Sequence, residues 1–512
     1  MAGLAVVAIV GAAAVWLLGR EEREAEAADK GRPPVVLLIF DEFPTDLLLG
    51  PDGRIDRGRY PAFAKLARRG YWFPNATTTY DSTTKAVPQI LDGMLPRAGT
   101  APDFIGHERS IYDVAGAKGY AIHRYEAATS ICPPRWCPGA RVGRPAILSQ
   151  LQRGRRERLR GFLDSVGPTD RPTFWVGHML LPHGPYLFLP SGRQVRRDWQ
   201  DPHPGMNSTP GFYSRHLALH AQQRLQLQLG FLDRELGRWI RRLQRDGTFG
   251  RALIVVTADH GISSQVGVPT RRLTDRSNIA ELAPVPLFVK LPRQKRGKAP
   301  RWHVRTTDVA PTIADVLNAR LPYRADGRSV FSRAVRSRDG AMVLARDFRG
   351  RIRISGRALE RRRAALLATR LRRFGHGDWD SLYTGIGPSR WLIGQPAAPL
   401  AAAPAGKLRA RLIGGDALRD VGRDRLVWPT QIAGKIAGGA PGATRPVAVA
   451  VNGVVAATGE TFHLRVARRQ RAARGDEGFA VMVPERALRR GANRVEVFEI
   501  VGGRELRPLI GG

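Results

Sequence analysis

The chain has 512 residues, with 82 Lys or Arg against 45 Asp or Glu, a formal charge of +37. Single hydrophobic cores stop growing near ~250–300 residues, so more than one folding unit is expected; 43% hydrophobic and 25% charged residues exclude a disordered chain. Nine of the basic residues are Lys and 73 are Arg, a bias that GC-rich coding produces, so the charge fits either an anionic partner or solvated arginine. No module with base-stacking aromatics accompanies it, and no nucleic-acid partner is expected.

In chain order, Ala2–Gly19 is free of charged side chains and as a helix would cross ~27 Å of hydrocarbon. It reads as a transmembrane anchor, with a cleaved signal peptide as the rival, and residues 20–33 read as a linker. The expected protein is membrane-anchored with an extracytoplasmic body, although Arg20 and Arg23 after the span argue for the opposite orientation. Val35–Phe40 is a continuous apolar run ended by Asp41-Glu42, the pattern of a buried central strand with acidic residues at its carboxyl end. The Thr/Ser-rich segment Thr77–Thr84 runs into Ala86–Leu91, which reads as the start of a helix. Cys132 and Cys137 form a local disulfide or remain two reduced thiols. Phe174–Val176 and Ala252–Thr257 read as further strands, and between them Leu225, Leu229, Leu232, Leu236, Ile240 and Leu243 form one buried helical stripe.

Strands alternating with helices predict a mainly parallel α/β sheet, whose ligands sit beyond the carboxyl ends of the strands. Asp41, His178, Asp259 and His260 fall there. Residues 34–340 are the expected catalytic domain. A basic segment, 341–395, follows, with eleven Arg between Arg346 and Arg373. There Leu359, Leu366, Leu367, Leu371 and Phe374 could line either an interfacial membrane helix or a packed helix with a solvated Arg face. An Ala/Pro-rich linker at 396–404 leads to short strand-like segments, Val447–Val451, Thr461–Val466, Gly478–Val483 and Asn493–Val501, so 405–512 is expected to be an all-β, sandwich-like domain.

The chemistry concentrates in Thr257-Ala258-Asp259-His260-Gly261, where adjacent carboxylate and imidazole can serve one cation. Asp41 is placed the same way on an earlier strand, and a hydroxyl at a helix start beside a metal is arranged for attack on an anionic ester. Ordered pieces resemble the alkaline phosphatase superfamily in its sulfatase-like branch. They are Val35–Glu42, Tyr60–Gly70 with Phe73–Ala76, Leu91–Pro96, Leu181–Pro185, Leu232–Gly237, Ile254–Gly261, Pro284–Leu287, and Thr307–Thr312 with Asp326–Ser329.

The resemblance implies a three-layer sandwich around the parallel sheet. It implies Thr83 as nucleophile, with Ser82 and Thr84 as one-residue alternatives, and Asp41, Thr83, Asp259 and His260 around a divalent metal, zinc or manganese, with calcium or magnesium as alternatives. His183 matches a histidine that contacts the substrate anion, Glu42 and His303 are candidates for a second metal, and His178, Lys85 and Arg276 are lesser candidates. True sulfatases resemble Cys/Ser-x-Pro-x-Arg at the nucleophile, whereas this chain has Thr83-Thr84-Lys85-Ala86-Val87. Thr cannot become the formylglycine aldehyde, so the resemblance implies phosphoryl chemistry through phosphothreonine on lipid- or polymer-linked phosphate esters at the cell envelope. The alternatives are an ester hydrolase of the same fold and an inactive envelope protein that binds anionic polymers.

Overall fold

The computed structural model describes residues 32–511, apart from 144, 146, 197–211, 213, 269–270, 273–274, 423–424, 441 and 464–476. The elements that build the site are, in chain order, β1 (Val35–Asp41), α1 (Pro61–Arg69), β2 (Tyr71–Trp72), α2 (Thr83–Asp92), β3 (Ala121–Glu126), β4 (Thr173–Pro182), α3 (Arg215–Arg245), β5 (Leu253–Ala258), β6 (Leu287–Lys290) and α4 (Gly356–Phe374). The strands form one sheet in the order β2-β6-β5-β1-β4-β3. Parallel pairing links β1 to β4 and β5, and β3 to β4; β6 alone runs against its neighbours β5 and β2.

The unbroken apolar run of β1 is explained by burial on both faces. Val36, Leu38 and Phe40 pack against Phe63 and Leu66 of α1 and the Leu232, Leu236 and Ile240 stripe of α3. Val35, Leu37 and Ile39 face Val87, Ile90 and Leu91 of α2. Two helical layers therefore sandwich a mainly parallel sheet. Cys132 and Cys137 are disulfide-bonded.

Beyond residue 400, two sheets share one core. Strands that include Arg409–Leu412, Gln431–Ala437 and Glu477–Met482 form one, and Pro446–Val451, Val454–Glu460, Val495–Val501 and Glu505–Pro508 form the other. Ile432, Ile436, Phe479 and Val481 of the first pack against Val447, Val449 and Val497 of the second. This β unit docks on the start of α3, where His216 Nε2 lies 2.8 Å from the Ala480 carbonyl and the Glu460 backbone N–H donates to His216 Nδ1 at 3.3 Å.

The basic segment folds into the hairpin Ala341–Leu344/Arg351–Ile354 and α4. The membrane-lying alternative for this helix gives way to packing: Leu359 and Phe374 are buried, and Arg363 donates to Asp46 Oδ1 at 2.7 and 3.0 Å and to Pro74 O at 2.9 Å. The expected membrane-anchored, extracytoplasmic placement requires correction. Among the described residues no helix is long and apolar enough to cross a membrane. A span needs ~20 predominantly apolar residues, and the two longest helices, α3 and α4, are interrupted by arginines throughout. The apolar stretch Ala2–Gly19 itself lies outside the described residues.

Candidate active site at the carboxyl edge of the sheet

Asp41 ends β1, and Asp259 and His260 directly follow β5, its hydrogen-bonded neighbour, so parallel pairing alone brings the three side chains together. The ligand-capable atoms of Asp41, Asp259 and His260 lie within 4.8 Å of one another, and all three residues are buried. The backbone locks this corner: Asp259 N–H donates to Phe40 O at 2.9 Å and Phe43 N–H to His260 O at 2.8 Å. Asp259 Oδ1 accepts from the backbone N–H groups of His260 and Glu42, at 2.6 and 3.1 Å. Its Oδ2 is buried without a hydrogen-bond partner, 3.4 Å from His260 Nε2. Glu42 takes a left-handed φ of 57° to make this turn, a conformation that costs a non-glycine residue ~1–2 kcal/mol. Gly261, by contrast, is required by crowding: a Cβ there would lie 2.2 Å from Glu281 O.

α2 delivers the hydroxyl. Its first residue, Thr83, donates from Oγ1 to Asp41 Oδ1 at 3.3 Å and stands 3.3 Å from His260 Nε2. His260 Nδ1 is 2.8 Å from Gly261 O, which fixes the tautomer with Nδ1–H donating and leaves Nε2 with its lone pair toward the cluster. Burial, and then the neighbouring Asp259, push Asp41 well above the ordinary carboxylate range. Burial likewise pushes Asp259 up to about 7 against the two backbone donors. An orphaned carboxylate oxygen, a second carboxylate and an imidazole nitrogen, the last also reached by Arg272 at 2.9 Å, converge on one point and form a donor set that fits a divalent cation.

His183 and two arginines line the opposite side. His183 Nε2 is 3.5 Å from Glu42 Oε1, and its carbonyl is held by Arg155 at 2.7 Å and Gln228 at 3.0 Å. Arg271 makes a direct ion pair with Glu42, with Arg272 3.6 Å away from the same oxygen. Burial would raise Glu42, but Arg271, His183 and Arg272 outweigh it and hold the carboxyl at about 2. Arg272 also donates to Asp81 O at 2.7 Å and reaches His260 Nε2 at 2.9 Å.

The structure thus gathers Asp41, Thr83, Asp259 and His260, with Glu42 and His183 beside them. It does not bring in the other candidates. His178 is buried within β4 opposite Ile39, and burial holds its imidazole down at about 3. Lys85 turns away to the Arg97 and Thr100 carbonyls at 2.8 and 2.6 Å, His303 lies 3.9 Å from Asp339, and the Arg276 carbonyl accepts from Arg362. Arg271 and Arg272 went unsingled in the sequence because two more arginines among 73 carry no signal.

The family model described as Sulfatase matches residues 153–319, which include His183, Asp259 and His260. Over these residues the chain is similar to the Sulfatase family. Asp41 and Thr83 lie before the matched residues, and the fold brings them beside Asp259 and His260. No curated protein matches the chain. Among solved structures it is similar to a 2-O GAG sulfatase (15% identity, 61% of this chain and 77% of that one, TM-score 0.45). It is also similar to a protein from Bacteroides thetaiotaomicron described with the metabolism of multiple glycosaminoglycans (15%, 63% and 83%, 0.44). A third is the phosphonate monoester hydrolase of Agrobacterium radiobacter (16%, 61% and 80%, 0.42). None of these likenesses decides what this chain acts on.

Proposed function

We propose that this protein is a metal-dependent phosphodiesterase or phosphotransferase that uses Thr83 as its nucleophile on an anionic, polymer-linked phosphate ester. The observation that carries the reading is the position of Thr83 Oγ1, 3.3 Å from both Asp41 Oδ1 and His260 Nε2. That hydroxyl opens a ten-residue helix, whose first-turn N–H groups favour phosphate oxygens. Asp41, Asp259 and His260 would hold the cation; the imidazole in the set favours zinc over calcium or magnesium, and the two carboxylates also suit manganese. A divalent cation bound there would supply positive charge that favours the ionised hydroxyl and offsets charge on the phosphoryl oxygens, lowering the barrier by several kcal/mol.

The chain's own residues supply the rest. Thr83 donates its proton toward Asp41 as Oγ1 forms the bond to phosphorus and the bond to the leaving oxygen breaks; the leaving oxygen takes up a proton and departs as the alcohol, giving a phosphothreonine that keeps the second ester group of a diester. His183, Arg271 and Arg272 face the outer side of this point, where they can pair with the non-bridging oxygens or the leaving oxygen. Water or an acceptor alcohol then attacks phosphorus and returns the hydroxyl to Thr83. Two in-line displacements retain configuration at phosphorus. Sulfate-ester hydrolysis through an aldehyde hydrate is disfavoured, since oxidation of the Thr side chain cannot give an aldehyde.

Turnover of a chromogenic phosphodiester tests the reading. Thr83→Ala is expected to lose at least ~10³-fold in kcat while retaining bound metal, and Thr83→Ser to keep measurable turnover. Chelation of the parent should abolish turnover, and added zinc or manganese should restore it. Undiminished turnover in Thr83→Ala would refute the assignment.

A further inference from the structure

The carboxyl half of α3 presents Arg234, Arg238, Arg241 and Arg245, all exposed. At 100° per residue they fall within about 60° of one another along ~16 Å of helix. The stripe borders two grooves. One, of about 620 Å³, is lined by five arginines (160, 238, 241, 242 and 245) against Asp164 and Glu235. The other, of about 460 Å³, adds Lys65 and Arg68 of α1 beside Arg234 and Arg241.

Compensation is sparse. Glu235 is committed to Arg160 at 2.7 Å and Arg238 at 3.0 Å. Among the described residues Arg68, Arg234, Arg241 and Arg245 have no ion pair. Burial and then repulsion from Arg241, Arg69 and Arg68 lower the neighbouring Lys65 ammonium, which shows how closely the like charges crowd. Positive charge held at such spacing on rigid helices is favourable only when counter-anions gather there.

The stripe lies away from the catalytic edge. Gln228 of α3 holds His183 O at 3.0 Å, whereas Arg242 donates to Val166 O at 2.7 Å, before β4 begins. Arg245 therefore lies ~25 Å farther along the helix axis than the residue that touches the His183 loop. We propose that this face is an exosite for a linear polyanion, a chain of closely spaced phosphate or sulfate groups, which it holds while a distant part of the chain reaches the catalytic edge. Of the tryptophans lining the two grooves, Trp239 is buried and the half-buried Trp379 is packed against Tyr60 and Arg59, so they form no open stacking platform and the recognition is of charge spacing rather than of bases.

Binding to the full chain of long-chain inorganic polyphosphate and of dextran sulfate, each followed across a salt series, tests this without reference to turnover. The variant Arg68→Gln, Arg234→Gln, Arg241→Gln, Arg245→Gln should bind at least one of the two probes ~10-fold or more weakly near 0.1 M salt. Its log–log salt slope should fall by about three, at ~0.7 per neutralised charge. The control is Arg409→Gln, Arg411→Gln, Arg490→Gln, Arg504→Gln, which removes the same charge from exposed positions of the β unit. The control should lose less than ~2-fold. Equal losses in the two variants would reduce the effect to diffuse net charge and overturn the exosite, as would no loss in either. Tighter binding of single-stranded DNA than of polyphosphate of matched charge would also overturn it.

Discussion

Thr83, Asp41, Asp259 and His260 meet because two neighbouring parallel strands end at one level and a helix begins opposite them. Asp41, Asp259 and His260 were readable from local context, as apolar strands that stop abruptly, whereas the Thr-rich lead into a helix marked only a segment and Thr83 within it came from the family resemblance, with Ser82 and Thr84 as alternatives. Arg271 and Arg272 were not readable, since about one residue in seven is Arg and only the folded loop shows that these two meet Glu42. Their pairing explains why Glu42 does not act as a free carboxylate beside the cluster. Removing Arg271 would leave a buried carboxylate with only partial compensation from Arg272, so Arg271→Ala is expected to destabilise the fold by about 3 kcal/mol, read as a lower urea midpoint. Arg271→Lys should recover part of that loss, because charge returns without the guanidinium fork.

At the scale of elements, α2 is held in register at both ends. Gly93 closes it at φ 70°, where a Cβ would lie 3.1 Å from both Pro311 Cδ and Thr307 O. Gly93→Ala is therefore expected to cost ~1–2 kcal/mol and to lower turnover as well, because the same helix carries Thr83. The junction between α3 and the β unit should be acid-sensitive. His216 accepts a backbone N–H on Nδ1, and burial holds its imidazole down at about 4. Between pH 6.5 and about 4 the unfolded chain binds a proton that the folded chain refuses, so stability falls as pH drops through that window, by up to ~3 kcal/mol. Urea midpoints measured against pH should show this slope, and His216→Gln should flatten it. Of the strands, β1 and β5 matched their apolar runs closely, whereas β4 extends past Val176 through Gly177 and His178. Gly177 is needed there because a Cβ would meet the Phe162 ring at 2.6 Å. Gln431–Ala437 and Val454–Glu460 escaped notice because their Ala and Gly residues carry weak strand preference, and cross-strand pairing places them.

For the whole molecule, the order of motifs along the chain was enough to establish the parallel sheet, but not how the later segments attach to it. The arginine-rich helix α4 looked suited to a surface or a membrane. It is held by contacts far apart in sequence: Leu359 and Phe374 are buried, Glu360 pairs with Arg301, and Arg363 pairs with Asp46, 317 residues away. Arg363→Met is expected to loosen this attachment at a cost of about 3 kcal/mol, seen as early proteolysis around residues 356–374. The net charge of +37 thus divides into arginines that hold segments together, arginines that face the candidate active site, and an exposed stripe on α3, while the proposed chemistry rests on two carboxylates, an imidazole and a hydroxyl. The most direct test of that chemistry is intact-mass and peptide mapping of the whole chain, loaded with zinc or manganese and acid-quenched during phosphodiester turnover. The account predicts a phosphoryl-group adduct on Thr83 that forms and decays with turnover and is missing in Thr83→Ala. Turnover with no adduct on Thr83, or an adduct on another residue, would contradict it.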